Sequence, residues 1–125
     1  MCYSDLVDDR SIPLWELVAE RAVRWNTRGN CGLVVGATYP AILERVREIA
    51  PDLPILIPGI GPQAGDLDAA VEAGAPRPTS QIMINSSRQV LYASRGADWK
   101  DAARAAAQDL RDAINDAQAN ATRGM

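Results

Sequence analysis

Apolar positions along the chain alternate between two rhythms. From Ile12 and Pro13 to about Thr27, Leu14, Leu17, Val18, Ala22 and Trp25 recur close to the i, i+3, i+4, i+7 spacing of an amphipathic helix, with Pro13 tolerated in the first turn. Gly29 and Asn30 end that helix. Gly32 to Thr38 then reads GLVVGAT, and the continuous Leu33, Val34 and Val35 suit a strand covered on both faces. Thr38 is a candidate helix cap, and Ile42, Leu43, Val46 and Ile49 form a helical face that stops before Pro51. A second strand follows at once in Leu53, Ile55, Leu56 and Ile57. Asp66 reads as the cap of a helix running through Ala69, Ala70, Val71 and Ala73 to Gly74.

Gln81 to Asn85, QIMIN, reads as a third strand, reached through the proline-punctuated loop Arg77 to Ser80, in which no chemistry is evident. Gln89 to Ser94 forms a short turn or helix ending near Gly96. The last helix starts at Asp98 and buries Ala103, Ala106, Ala107, Leu110, Ala113, Ile114 and Ala117. The order of helix, strand, helix, strand, helix, strand, helix argues for an α/β fold with parallel strands joined by right-handed crossovers. The expected organisation is one domain over residues 1–125: an irregular lead-in over 1–11, a helix and three strand-helix units over 12–119, and a frayed tail over 120–125. Trp15 and Trp25 read as packing residues.

Two strand ends carry the candidate chemistry. After Ile57 the chain changes abruptly to PGIGPQAGD, in which Pro58, Gly59, Gly61, Pro62 and Gly65 permit tight turns and let backbone approach a ligand closely. After Asn85 come Ser86, Ser87 and Arg88. Glycine-rich backbone and Gln63 from one strand end, with two hydroxyls and a guanidinium from the next, suit a phosphate, because amides and forked cationic donors favour a compact dianion. The plain alternative for the glycine loop is a strand-to-helix connection.

Composition narrows the picture. The net charge of −3 over 125 residues gives no basic field for nucleic acid. Histidine is absent, which removes the commonest general base and metal ligand, and Lys100 is the one lysine. Cys2 and Cys31 stand apart with no partner at metal-ligand spacing, so neither zinc nor a redox CxxC pair is indicated and reduced thiols are the simplest account. No apolar run has the roughly 18–20 residues that span a bilayer, and the opening MCYSDLVDD is acidic, which points to the cytoplasm and away from a membrane.

Taken together, GLVVGAT, a helix ending at a proline, ILIPGIGPQAGD, and INSSR with the following VLYAS resemble the carboxy-terminal part of orotidine 5′-phosphate decarboxylase of the second bacterial type, from about Leu14 to Ile114. The resemblance implies a partial (β/α) TIM-type barrel, with about three parallel strands and four main helices, from an enzyme that converts orotidine monophosphate (OMP) to uridine monophosphate (UMP) without cofactor. It further implies that Gln63 and Arg88 hold the 5′-phosphate, that Gly59 and Gly61 shape the loop, and that Ser86 and Ser87 stand beside the arginine. Ala64 stands where the family usually has glycine.

The family's DxKxxD set, which carries the catalytic lysine and aspartates, has no counterpart on a strand here. Asp98, Trp99, Lys100 and Asp101 mimic it only at the start of a helix, where capping explains them. No catalytic residue is therefore assigned, and the chain alone is expected to be inactive, contributing the phosphate-gripping portion of a pyrimidine-biosynthetic site. The alternative is a non-catalytic phosphate-binding or assembly module. A sugar-phosphate epimerase fragment would want metal-binding histidines, which are absent. Open ladder edges and an exposed inner face call for a partner, either the missing amino-terminal half-barrel or a second copy.

Overall fold

The computed structural model describes Val7, residues 11–60 and residues 66–123. The elements run α1 (Leu14–Trp25), β1 (Leu33–Val34), α2 (Pro40–Ile49), β2 (Ile55–Ile57), α3 (Leu67–Gly74), β3 (Ile82–Ile84), the single turn α4 (Arg88–Leu91) and α5 (Trp99–Arg123). The strands form one parallel sheet in the order β1-β2-β3. Leu33 pairs with Ile55 and Ile55 with Ile82, and the ladder ends with Ile57 opposite Ile84. Backbone bonds from Val35 to Leu56 and from Ala37 to Pro58 carry the β1–β2 pairing beyond the regular strand.

The period of two along each strand divides its residues between the faces. Leu33, Val35, Ile55, Ile57, Ile82 and Ile84 meet the helices, with Ile55 and Ile57 fully buried beside Leu43 and Val46 of α2 and Ala70 of α3. Val34, Leu56 and Met83 align in register on the opposite face, where Val34 is 69% and Met83 54% exposed. The expectation of strands covered on both faces therefore holds for one face of the described structure. A continuous aliphatic run records what a strand is built to pack against, and among the described residues Val34 and Met83 stay uncovered on the second face.

Four helices of eight residues or more lie over the covered face, α1 beside α2, α2 beside α3, and α3 beside α5. Asp66 caps α3 as its sequence position suggests, its Oδ1 accepting from the Asp68 amide at 2.9 Å. Thr38 does not cap α2. Tyr39 holds that position without a side-chain bond, and Pro40, with no amide hydrogen to satisfy, opens the helix. Trp15 packs on the core, whereas Trp25 is 68% exposed and is no packing residue among those described. On α5, Ala117 is buried, the other predicted small residues are half-buried, and Ala107 is exposed. The helix also continues through Arg123 where fraying was expected, and Thr122 Oγ1 donates back to the carbonyls of Gln118 and Ala119.

Gly74 sits where α3 presses on the sheet. A Cβ there would lie 2.8 Å from Ile57 Cδ1 and 3.4 Å from both Ile82 Cγ2 and Leu43 Cδ2, and Ile57 and Leu43 are fully buried. Gly74→Val is expected to destabilise the fold by about 1–3 kcal/mol through overpacking. Urea unfolding followed by tryptophan fluorescence measures this, and an unchanged midpoint would contradict the close packing.

At the amino-terminal end of the strands lies a buried arginine that apolar periodicity did not reveal. Arg47 of α2 is 3% exposed. Its Nε donates to Gly74 O at 2.7 Å, Nη1 to the carbonyls of Leu53 (2.7 Å), Ala50 (3.1 Å) and Pro51 (3.2 Å), and Nη2 to Gln81 O at 3.1 Å. One side chain thus links the ends of α2 and α3 to the residues leading into β2 and β3. Arg77, in the loop read as lacking chemistry, adds a 3.0 Å bond to Pro51 O.

Candidate functional site at the carboxyl ends of the strands

Parallel strands in register bring their carboxyl ends to one side of the sheet. Ile57 stands opposite Ile84, so the loop opened by Pro58 and Gly59 and the turn Asn85-Ser86-Ser87-Arg88 leave the sheet side by side. The extension of β1 ends there too, because the Ala37 amide donates to Pro58 O at 3.2 Å. Gly59 adopts φ +88°, a left-handed conformation that strains any residue with a Cβ even though the space around it is open. Gly61 and Gln63 lie outside the described residues.

Beyond β3 the side chains divide. Ser86 is half-buried, donates from Oγ to Gln89 Oε1 at 3.2 Å, and lines a cavity of about 290 Å³ with Ile84, Val90, Leu110, Arg111 and Asn115. Ser87 is exposed at the cap position of α4, and its hydroxyl makes no capping bond. Arg88, the first residue of α4, is exposed, and its guanidinium has no ion-pair partner among the described residues. Thr38 is a further hydroxyl at this end of the sheet. Its reading as a helix cap hid it, and the only signal was its place four residues beyond β1.

Four of the six predicted residues, Gly59, Ser86, Ser87 and Arg88, therefore lie at one end of the sheet, with Ser87 and Arg88 holding unengaged donors and Ser86 already bonded. A cationic fork, a hydroxyl and a glycine loop can receive a small anion. They offer no general base. Lys100 lies in the first turn of α5 with Nζ 5.3 Å from the Trp99 ring centroid, and Asp98 accepts from Ser94 Oγ at 2.6 Å, so the short Asp-Trp-Lys-Asp stretch belongs to the approach and first turn of a helix. Among the described residues, no group of three or more His, Cys, Asp or Glu side chains gathers to hold a metal, and no helix is long and apolar enough to cross a membrane.

No family profile matches the chain. Individual relatives do. Orotidine 5′-phosphate decarboxylase of Ralstonia nicotianae is 57% identical over 104 residues, which is 82% of this chain and 38% of that protein. Its counterpart in Azoarcus sp. is 54% identical over 103 residues, with the same shares of each chain. The solved OMP decarboxylase of Leishmania donovani superposes with a TM-score of 0.70 at 44% identity, covering 90% of this chain and 41% of that one.

The chain is a homologue of orotidine 5′-phosphate decarboxylases over part of their length. It corresponds to the carboxy-terminal part of that (β/α) barrel and spans 38% of the length of these curated relatives. The expected fold is borne out: three parallel strands with four main helices, and the short turn or helix expected over Gln89 to Ser94 stands at Arg88–Leu91 as α4. In barrels of this kind phosphate sites commonly sit at the loops after the last two strands, which is where β2 and β3 place Gly59 and Arg88.

Proposed function

We propose that this chain supplies the phosphate-binding portion of an OMP decarboxylase site, with Gly59, Gly61, Gln63, Ser86, Ser87 and Arg88 gathered around the 5′-phosphate of OMP or UMP. The observation that carries this reading is the in-register pairing of Ile57 with Ile84, which sends the two motif-bearing loops out from the same end of the sheet. Arg88 is the main attractive charge, Ser87 adds a neutral donor, and the backbone about Gly59 shapes the loop that meets the phosphate from the other side. Ser86 would reach the anion only by exchanging its bond to Gln89.

The chemical half of the site is not on the described strand ends. Decarboxylation needs developing negative charge at a ring carbon to be stabilised and a proton delivered there, tasks for an ammonium held among carboxylates. The chain alone is expected to bind UMP weakly and to turn over no OMP.

Calorimetry with UMP tests the binding reading. Arg88→Ala is expected to weaken affinity at least tenfold, in line with the loss of one charge-assisted contact. Equal affinity in the mutant would remove Arg88 from the site. The pH dependence should follow the ligand, since no histidine is present. A phosphate monoester dianion takes up a proton near pH 6, so affinity should hold above about pH 7 and fall as the dianion is lost below about pH 6.

A further inference from the structure

The alternation of β3 continues one step past its regular pairs. Ile82 and Ile84 meet the helices, and Ser86, two residues on, lines the same cavity as Ile84 together with Leu110 and Ile114 of α5. The residue between Ile84 and Ser86 turns the other way, because successive side chains of an extended chain point to opposite faces. Asn85 therefore shares the face of Met83, and both are exposed where Ile84 and Ser86 are half-buried. Its carboxamide makes no hydrogen bond among the described residues, whereas Ser86 Oγ is already bonded to Gln89.

The surroundings of Asn85 leave room for a ligand. Register carried one step beyond Val34, Leu56 and Met83 puts Gly36, Pro58 and Asn85 in one row on that face, and the Ala37 amide, bonded to Pro58 O, holds the β1 end of this row to β2. Gly36 has no side chain, and nothing lies within 4 Å of where a Cβ would stand. Pro58 offers only an apolar ring. Asn85 is thus the one polar side chain of the row, at the end of the sheet from which the loop of Gly59 and the turn to Arg88 depart.

We propose that Asn85 recognises the nucleoside portion of the nucleotide whose phosphate Arg88 receives, through hydrogen bonds from its carboxamide. The inference rests on the phosphate reading for where the nucleotide is anchored, while the direction of Asn85 stands on the strand geometry. A phosphate held at the loops after β2 and β3 leaves the rest of the molecule to lie along the face of Met83, over the space beside Gly36 and the ring of Pro58. An amide donates through nitrogen and accepts through oxygen, so it suits a neutral partner that does both, either the hydroxyls of the ribose or the imide edge of the pyrimidine.

Nitrogen–proton correlation spectra of the 125-residue chain provide the test, the Asn85 carboxamide pair being identified by its absence from Asn85→Ala. UMP is expected to shift that pair, and inorganic phosphate to shift the Arg88 Nε–H while leaving the pair in place. Titrations should show Asn85→Ala binding UMP about threefold or more weakly, the scale of one neutral hydrogen bond, with phosphate affinity changed by less than about twofold. Ribose 5-phosphate locates the contact: a full shift of the pair assigns the sugar, and a shift seen only with UMP assigns the ring. An Asn85 pair that UMP does not move, or an unchanged UMP affinity in Asn85→Ala, overturns the proposal. Equal losses for UMP and phosphate overturn it too, since Asn85 would then act on the anion or on the fold. The two readings fail separately, because the phosphate reading falls only if Arg88→Ala leaves phosphate binding intact.

Discussion

Replacing Arg47 by alanine lowers the stability of the fold by about 3–5 kcal/mol, a large share of the roughly 5–15 kcal/mol available to a domain. The substitution removes a donor from each of the carbonyls of Gly74, Leu53, Ala50, Pro51 and Gln81, of which Pro51 keeps its bond from Arg77 and Gln81 its bond from the Ile55 amide, in a place where water reaches poorly. An unsatisfied buried acceptor costs about 1–3 kcal/mol, and partial hydration after the cavity opens keeps the total below a simple sum. Arg47→Lys should recover only part of the loss, because one ammonium has three hydrogens and no planar fork to span α2, α3 and the approaches to two strands. Burial, and next the neighbouring Arg77, lower the Arg47 pKa below the usual range of a guanidinium, with Asp52 acting in the opposite sense. Because the folded-state value is the lower one, this group makes stability rise with pH only in the alkaline range where the guanidinium begins to lose its proton. No slope near neutrality should come from it. Urea midpoints across pH 6–9 check both statements, and a loss under about 1 kcal/mol for Arg47→Ala would mean that the carbonyls find other partners.

The exposed ion pairs make a useful contrast. Arg45 bonds both Glu48 at 2.7 Å and Glu16 at 3.1 Å, and these contacts, that to Glu48 foremost, raise its pKa, yet the guanidinium itself is solvent-exposed and the pairs contribute little to stability. The clamp with no carboxylate in it governs the fold, because its polar groups have no access to water as an alternative.

Much of this architecture was legible in the residues. Aliphatic runs bounded by Gly and Pro located all three strands, and helical spacing located α1, α2, α3 and α5, with Asp66 and Gly74 marking the two ends of α3. What stayed hidden did so for physical reasons. Arg47 shares the surface-like identity of Arg45 and Glu48, and only the convergence of carbonyls from distant segments gives it a buried site. Trp25 looks like a packing residue because its helix has an apolar stripe, but periodicity tells which residues share a face and says nothing of whether anything covers it. The same holds for Val34 and Met83. At the candidate site, the motifs identified Gly59 and Arg88, whereas the register of β2 against β3, which no local pattern encodes, brings their loops together.

Restored to the rest of a barrel, the chain should make the phosphate grip visible as a difference between two substrates. In an assembly with the preceding segment of a relative, Arg88→Ala is expected to lower kcat/KM for OMP by about 10²–10³-fold, equivalent to roughly 3–4 kcal/mol at 1.36 kcal/mol per decade. With orotidine, which lacks the phosphate, the same mutation should change kcat/KM by less than about twofold, because no anion is present for the guanidinium to engage. The comparison isolates the contact: a mutation acting through misfolding or poor assembly lowers both values, and one acting through the phosphate lowers only the first. If KM alone rises, the phosphate serves as a uniform anchor. If kcat falls as well, its binding energy is used in reaching the transition state, and the loops after β2 and β3 take part in the chemistry although they carry no acid or base. Equal losses for the two substrates would remove Arg88 from the phosphate site.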